Sequence, residues 1–161
     1  MATLTIDNKQ YDAKFGFAFK NLADKNYNET DKEGNETGGF IAIYQGLLQF
    51  NIDALKAFWD CGLAHLGSKG RPAIKDIEKA LEDRIEEDGD TEKLFKEAFK
   101  EINLSGFFKK DAKTFWKNLD MFKEIGTEQE QAENEKAVQM LLEAKAELED
   151  ATVVESETKT E

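Results

Sequence analysis

Two glycine-containing segments come close to known phosphate and calcium loops, and each lacks a residue that the chemistry requires. In residues 62–69, GLAHLGSK, Ser68 separates the glycine from the lysine, and no Ser or Thr follows that lysine as in a P-loop. We therefore predict the end of a helix with a glycine stop there. Residues 31–34, DKEG, are similar to part of a calcium loop, but with Gly34 at the glycine position the bidentate Glu that the loop needs falls on Phe40, so no EF-hand is predicted.

Cys61 and His65 are four residues apart, a spacing that puts both on one face of a helix. They are the single cysteine and the single histidine of the chain, so a metal site would need carboxylates or a second subunit for its other ligands. We interpret them as a core thiol beside a half-buried imidazole. The acidic run at 86–88 is typical of a solvated helix face. The sequence therefore predicts no catalytic residues, no metal and no cofactor.

Without catalytic chemistry, the candidate functional residues are apolar side chains next to the predicted core stripes. Phe17 and Ile41 lie off the stripes of their helices, Phe107 precedes Phe108 directly, and Trp116 widens the stripe of the last core helix. Apolar side chains of this kind line grooves that accept the apolar face of a partner. We predict that all five contribute to partner binding, with burial in the core as the alternative for each.

Apolar periodicity predicts the elements that must position these residues. Apolar and polar residues alternate over residues 3–15, which predicts a β-hairpin with a tight turn at Asn8-Lys9. Residues 28–39 contain three glycines and no apolar residue, so we expect a mobile loop. Helical spacing follows over residues 40–122. The predicted fold class is mainly α: a small helical domain with an N-terminal β-hairpin and an acidic C-terminal tail that is partly helical or disordered.

Charge and aromatic residues divide the chain into two parts. The twelve Phe, three Tyr and two Trp all lie between Tyr11 and Phe122. Residues 124–161 contain twelve acidic residues and three lysines, a net charge of -9, which leaves -3 of the total -12 for residues 1–123. We therefore predict a helical domain over 1–123 and an acidic tail over 124–161. A capping pattern and spaced leucines predict one helix in the tail, over 128–149.

Length and charge exclude several classes of protein. The 161 residues suit a single domain. A net charge of -12 argues against a protein that binds nucleic-acid backbones, which needs clustered Lys and Arg. No apolar run approaches the roughly 20 residues of a membrane span. The first residues also lack the basic segment followed by an apolar stretch that is typical of a secretory signal. We expect a cytoplasmic protein that binds neither nucleic acid nor membranes.

The order of the segments resembles a known family. A hairpin, LTIDNKQYDAKF, leads into FGFAFKNLADK, and a glycine-led stretch, GGFIAIYQGLLQFNIDALKAFWDCGLAH, follows. A closing pair is built around IEKALEDRIEE and TEKLFKEAFKEINLSGFF. Over about residues 3–122 this order is similar to that of the tail assembly chaperones of long-tailed phages of Gram-positive bacteria, the short product of the paired tail-chaperone genes. Asn8-Lys9 stands where many relatives turn through Gly-Lys.

The resemblance implies a non-enzymatic helical protein that acts in the host cytoplasm. Such chaperones coat the tape measure protein, keep it soluble, and release it as tail tube protein polymerises around it. The resemblance also implies self-association into spirals or rings, and absence from the mature virion. We expect the tape measure protein and the tail tube protein as partners.

Two other functions remain open at this point. One is a helical adaptor or scaffolding domain with a single protein partner, which would bind one copy per partner where a coating chaperone binds many. The other is an acidic mimic of nucleic acid that blocks a basic site. A mimic needs rigid, spaced carboxylates, whereas most of the negative charge here falls in the predicted tail.

Overall fold

The computed structural model describes the backbone of residues 2–158 and the side chains of residues 2–149. It confirms a mainly α fold with an N-terminal two-stranded hairpin. The strands are β1 (Thr3–Ile6) and β2 (Lys9–Asp12). The helices are α1 (Phe17–Asn26), α2 (Gly39–Leu48), α3 (Ile52–Gly62), the single turn α4 (Gly67–Gly70), α5 (Ile74–Asp88), α6 (Glu92–Leu104), α7 (Lys109–Phe122) and α8 (Glu128–Thr158), with a 3-10 turn at Ala64–Leu66.

The hairpin turns one residue earlier than the sequence suggested. Ile6 pairs with Lys9, so the turn residues are Asp7 and Asn8, and the predicted turn at Asn8-Lys9 is wrong. Asp7 and Asn8 have φ angles of 50° and 65°, the left-handed backbone that a two-residue hairpin turn of type I′ demands. Asp and Asn accept this backbone more readily than Lys, which explains the shift.

The end of α1 fixes the start of α2. The Oδ1 atom of Asp24 accepts a hydrogen bond of 2.9 Å from the backbone N–H of Gly39. A side chain at Gly39 would overlap the backbone carbonyl of Ala23, so glycine permits the close approach of the two helices. Burial disfavours the charged form of Asp24, but hydrogen bonds from Lys20 and from Gly39 outweigh it and lower the pKa of Asp24.

The loop between α1 and α2 contains its own hydrogen bonds. The Oδ1 atom of Asp31 accepts from the backbone N–H groups of Glu33, at 3.0 Å, and Asn35, at 2.8 Å. At the end of the loop, Oδ1 of Asn28 accepts from the N–H of Gly38 at 2.9 Å. These bonds return the chain to the start of α2. The mobility expected for residues 28–39 stays a prediction.

Four helices and the segment before α7 supply fully buried aromatic rings to the core. The buried rings with less than 2% exposure are Phe19, Tyr44, Phe58, Trp59, Phe95, Phe99 and Phe108. Tyr44 also joins three helices through its hydroxyl, which donates to Oδ1 of Asn103 at 2.8 Å and accepts from Nε1–H of Trp116 at 3.0 Å. These bonds satisfy the polar atoms of an otherwise apolar contact between α2, α6 and α7.

The predicted acidic tail forms α8, which packs on the helical domain. Val138, Ala144 and Leu148 are buried, with exposures of 3%, 9% and 2%. The helix begins at the predicted residue 128 and runs to Thr158, beyond the predicted end at 149. The last predicted tail residues, 159–161, lie outside the described residues. Among the helices that the structure describes, none is long and apolar enough to cross a membrane.

The close approach of α1 and α2 gives a test of the fold. We expect Gly39→Ala to lower the free energy of unfolding by about 1–3 kcal/mol, because the added methyl group overlaps the backbone at Ala23. Gly16→Ala is the matched control, because no atom lies within 4 Å of a methyl group added there. Urea denaturation followed by circular dichroism measures both. Equal stability of the two variants would contradict the described packing.

Candidate protein-binding groove

An open groove of about 990 Å3 lies between α1, α2, α7 and α8, and we call it the α7 groove. Its lining is mostly apolar. The apolar lining residues are Phe40, Ile41, Phe108, Phe115, Leu119, Phe122, Ala137, Val138 and Leu141. Apolar surface that is concave and open to solvent is the usual form of a helix-binding site.

The groove follows one face of α7. The α7 residues that line it recur every three or four positions: Asp111, Thr114, Phe115, Asn118, Leu119 and Phe122. This recurrence defines a continuous helix face. Phe122 follows Asp111 by eleven positions, so at a rise of 1.5 Å per residue this helix face is about 17 Å long. The groove therefore matches about three turns of a bound helix.

Charged side chains at the rim are mainly acidic. Asp24, Asp31 and Asp111 line the groove, and Lys20 is the basic residue among the described lining residues. Lys20 forms an ion pair of 2.6 Å with Asp24. The hydrogen bond and charge of Asp24, with a smaller contribution from the charge of Asp111, raise the pKa of Lys20. Because Lys20 is already paired, the rim presents net negative charge to a partner.

The five residues predicted to bind a partner do not form one site. Ile41 lines the groove as a half-buried residue. Phe108 is 1% exposed, and its ring stacks on Phe40 with centroids 4.3 Å apart. Four surrounding rings cover Phe108, which is therefore a core residue at the base of the groove, the alternative given for it; its predicted contact with a partner stays a prediction. The sequence could not show this coverage.

Exposed Phe17 and half-buried Phe107 form a separate pair. Their ring centroids are 5.2 Å apart in an edge-to-face arrangement, and Phe17 is 70% exposed. Phe17 precedes Lys20 and Asp24 by three and seven residues in α1, so it shares the helix face that borders the groove. The pair is therefore a second candidate contact surface next to the groove.

Trp116 lies outside the groove lining, in a half-buried position between helices. Its indole N–H donates to the hydroxyl of Tyr44, and the amino group of Lys145 lies 5.0 Å from the centre of its ring. These contacts join α7 to α2 and α8. The structure gives Trp116 a role in positioning α7, and its predicted contact with a partner stays a prediction.

Sequence reasoning missed the outer walls of the groove. Leu119, Phe122 and Leu141 appeared to belong to stripes that face a core, as their spacing indicates. In the structure Phe122 is 40% exposed, and Leu119 and Leu141 are half-buried. Phe122 is the last residue of α7, and this terminal position is the signal that its side chain is incompletely covered by the core.

Cys61 and His65, which the sequence placed on one helix face, differ in their exposure. Cys61 is fully buried, whereas His65 is exposed and its Nδ1 lies 3.0 Å from the carbonyl oxygen of Gly62. Among the described residues, no group of His, Cys, Asp and Glu side chains has the arrangement of a metal site. Asp60 is 1% exposed and accepts a 2.7 Å hydrogen bond from the hydroxyl of Tyr27, which joins α3 to the end of α1. Burial, and then the bond to Asp60, raise the pKa of Tyr27.

Comparison with known protein families gives one finding that bears on function. Residues 3–117 match a family model described as "Phage tail assembly chaperone protein, TAC". No curated protein and no solved structure shows a significant match. The matched segment ends within α7, so Leu119, Phe122 and all of α8 lie beyond it.

Truncation to alanine should destabilise the protein strongly at Phe108 and very little at Phe17. We expect Phe108→Ala to lower the free energy of unfolding by about 3–5 kcal/mol, because it removes a fully buried ring. We expect Phe17→Ala to change it by less than about 0.5 kcal/mol, because that ring is mostly exposed. Urea denaturation measures both variants. A large loss of stability in Phe17→Ala would contradict its position at the surface.

Cys61 should report on unfolding. Burial, together with the negative charge of Asp60, raises the pKa of the Cys61 thiol, so little reactive thiolate forms at pH 8. We expect the native protein to resist a thiol reagent at that pH and to react once urea unfolds it. Rapid labelling of the native protein would show that α3 opens without global unfolding.

Proposed function

We propose how this chain, which belongs to the phage tail assembly chaperone family, takes part in tail assembly: it binds the tape measure protein and keeps it soluble. Membership in the family indicates partners among phage tail proteins. The finer proposal is that the chain coats the tape measure protein in the host cytoplasm, acts without catalysis, and is absent from the mature virion. Tail tube protein would be recruited as the coat is released.

The observation that carries this proposal is the open, apolar α7 groove on a helical domain. Long helical proteins with exposed apolar stripes aggregate unless those stripes are covered. A groove with apolar walls and a length of about three helical turns covers such a stripe locally. One domain protects only a short stretch, so many copies are needed along one client.

Weak binding at each groove is consistent with the proposed release. When many copies bind along one chain, or associate with each other in spirals or rings, avidity makes the assembly stable although each contact is weak. Polymerising tube protein can then displace the copies one at a time. The net charge of -12 favours repulsion between coated complexes and so opposes their aggregation.

The adaptor alternative differs from the chaperone in stoichiometry: an adaptor binds as one copy per partner, and a coating chaperone binds as many copies.

The observation that bears on the nucleic-acid mimic is α8, because a helix carries carboxylates at more regular spacing than a disordered segment. A mimic has no use for an apolar groove, however, and the groove therefore favours the chaperone. Competition with DNA for a basic protein, abolished by high salt, would favour the mimic instead.

The deciding experiment is co-expression with the tape measure protein from the same genome, followed by size-exclusion chromatography with light scattering. We expect a soluble complex with many copies of this chain for each tape measure protein. One copy per complex would support the adaptor, and an insoluble tape measure protein beside unbound chain would refute the proposal.

Two neighbouring residues provide a matched pair for this assay. Phe122 is 40% exposed and lines the groove, and Met121 is 60% exposed and is not among the lining residues. We expect Phe122→Ser to reduce the yield of soluble complex severalfold and Met121→Ser to leave it unchanged. Equal yields would show that the α7 groove does not bind the client.

A further inference from the structure

The α7 groove is completed by residues beyond the segment that the family shares. The matched residues end at 117, within α7. The far wall of the groove is formed by Ala137, Val138 and Leu141 of α8. Val138 is 3% exposed, so α8 sits firmly against the neighbouring helices, while Ala137 is exposed beside the groove. The acidic C-terminal helix is therefore part of the wall and does more than add negative charge.

The groove selects a helix over an extended strand. Its walls come mainly from α1, α2, α7 and α8, whose backbone N–H and C=O groups bond within each helix. The lining residues of the loop, Asp31, Thr37 and Gly38, have their N–H groups bonded within that loop. An extended peptide would find no ladder of free backbone groups there, and its own would lose water without gaining partners. A helix satisfies its backbone internally and needs the groove only for its apolar side chains.

The charges beside the groove determine which residues are favoured on either side of the apolar stripe of a bound helix. Asp24, Asp31 and Asp111 line the near side, and Lys20, which pairs with Asp24, offsets one of these three charges. On α8, Glu133 and Glu130 precede Ala137 by four and seven residues, so they share the helix face that reaches the groove. Carboxylates therefore line the near side of the groove and, although not lining it, continue the face of α8 next to it, so they attract a basic partner and repel an acidic one.

We propose that the α7 groove, with α8 as its wall, binds one amphipathic helix whose apolar stripe is flanked by lysine or arginine. This specifies the client site of the chaperone function proposed above and rests on it. A second copy of this chain is a poor occupant, because its net charge of -12 opposes docking against an acidic rim. Client selectivity is thus set partly by α8, outside the family-matched segment.

The first test uses the full chain and two synthetic helical peptides. The peptides share one leucine stripe and differ only in lysine or glutamate at the flanking positions. Fluorescence anisotropy should show roughly tenfold tighter binding of the lysine peptide at low salt, because its charge complements the rim. The difference should shrink at 1 M salt, where screening acts beyond about 3 Å. Equal binding of both peptides at low salt would overturn the proposal.

The second test changes the α8 wall without disturbing the core. Ala137→Arg places a long cationic side chain in the groove, and Ala132→Arg makes the same substitution at an exposed position of α8 that is not among the lining residues. We expect the first variant to bind the lysine peptide about tenfold more weakly, by obstruction and by charge repulsion, and the second to bind normally. Circular dichroism should show both variants folded. Unchanged binding by Ala137→Arg would overturn the role of α8.

Two further outcomes separate this inference from the proposed function. If the wild-type chain solubilises the tape measure protein and Ala137→Arg does so equally well, the groove inference fails and the chaperone function stands. If the chain binds the lysine peptide through Ala137 but does not solubilise the tape measure protein, the groove inference stands and the chaperone function fails. If Ala137→Arg converts an oligomer into a monomer, the occupant is a second copy, which overturns the proposed occupant.

Discussion

The packing of the Phe108 ring is the interaction on which the rest of the structure depends. Its centroid lies 4.3 Å from that of Phe40 in α2, 5.1 Å from that of Phe19 in α1, and 6.3 Å from that of Phe15 after the hairpin. One ring, of the residue directly before α7, therefore joins the N-terminal elements to the start of that helix. Aromatic contacts of this kind combine burial of a large apolar area with a preferred orientation. They fix where α7 starts and in which direction it leaves the core.

The groove follows from that direction. With α7 fixed at its start by Phe108 and along its length by the bond from Trp116 to Tyr44, its apolar side is only partly covered by α2. The part of α7 near Phe122 extends past the core, and α8 returns along it without closing the space. The groove therefore results from a buried core that leaves the last turn of α7 partly uncovered, with α8 alongside it. A site built on rigid helices binds a partner with little cost in reordering its own residues.

The N-terminal elements and the predicted site residues show how far sequence reasoning extends. The hairpin was predicted from its alternation, but its turn falls at Asp7 and Asn8, because the preference for left-handed backbone decided between two adjacent registers. Phe17 was correctly separated from the core stripe of α1 and is 70% exposed. Phe108 was grouped with it for its position beside Phe107, yet it is buried. Adjacent residues in a turn point in different directions, and spacing alone does not give those directions.

The sequence by itself determined the mainly α class, the N-terminal hairpin, the glycine-rich loop and the helix that begins at residue 128, since each depends on local periodicity and on capping or turn residues. The order of the sequence segments also indicated the family, which the family model confirms. Only the tertiary structure decided which apolar faces stay open. Periodicity shows that residues such as Leu119 and Leu141 share a helix face, but whether that face is covered depends on neighbours distant in sequence. That dependence on long-range packing separates the prediction of a core stripe from the recognition of a groove.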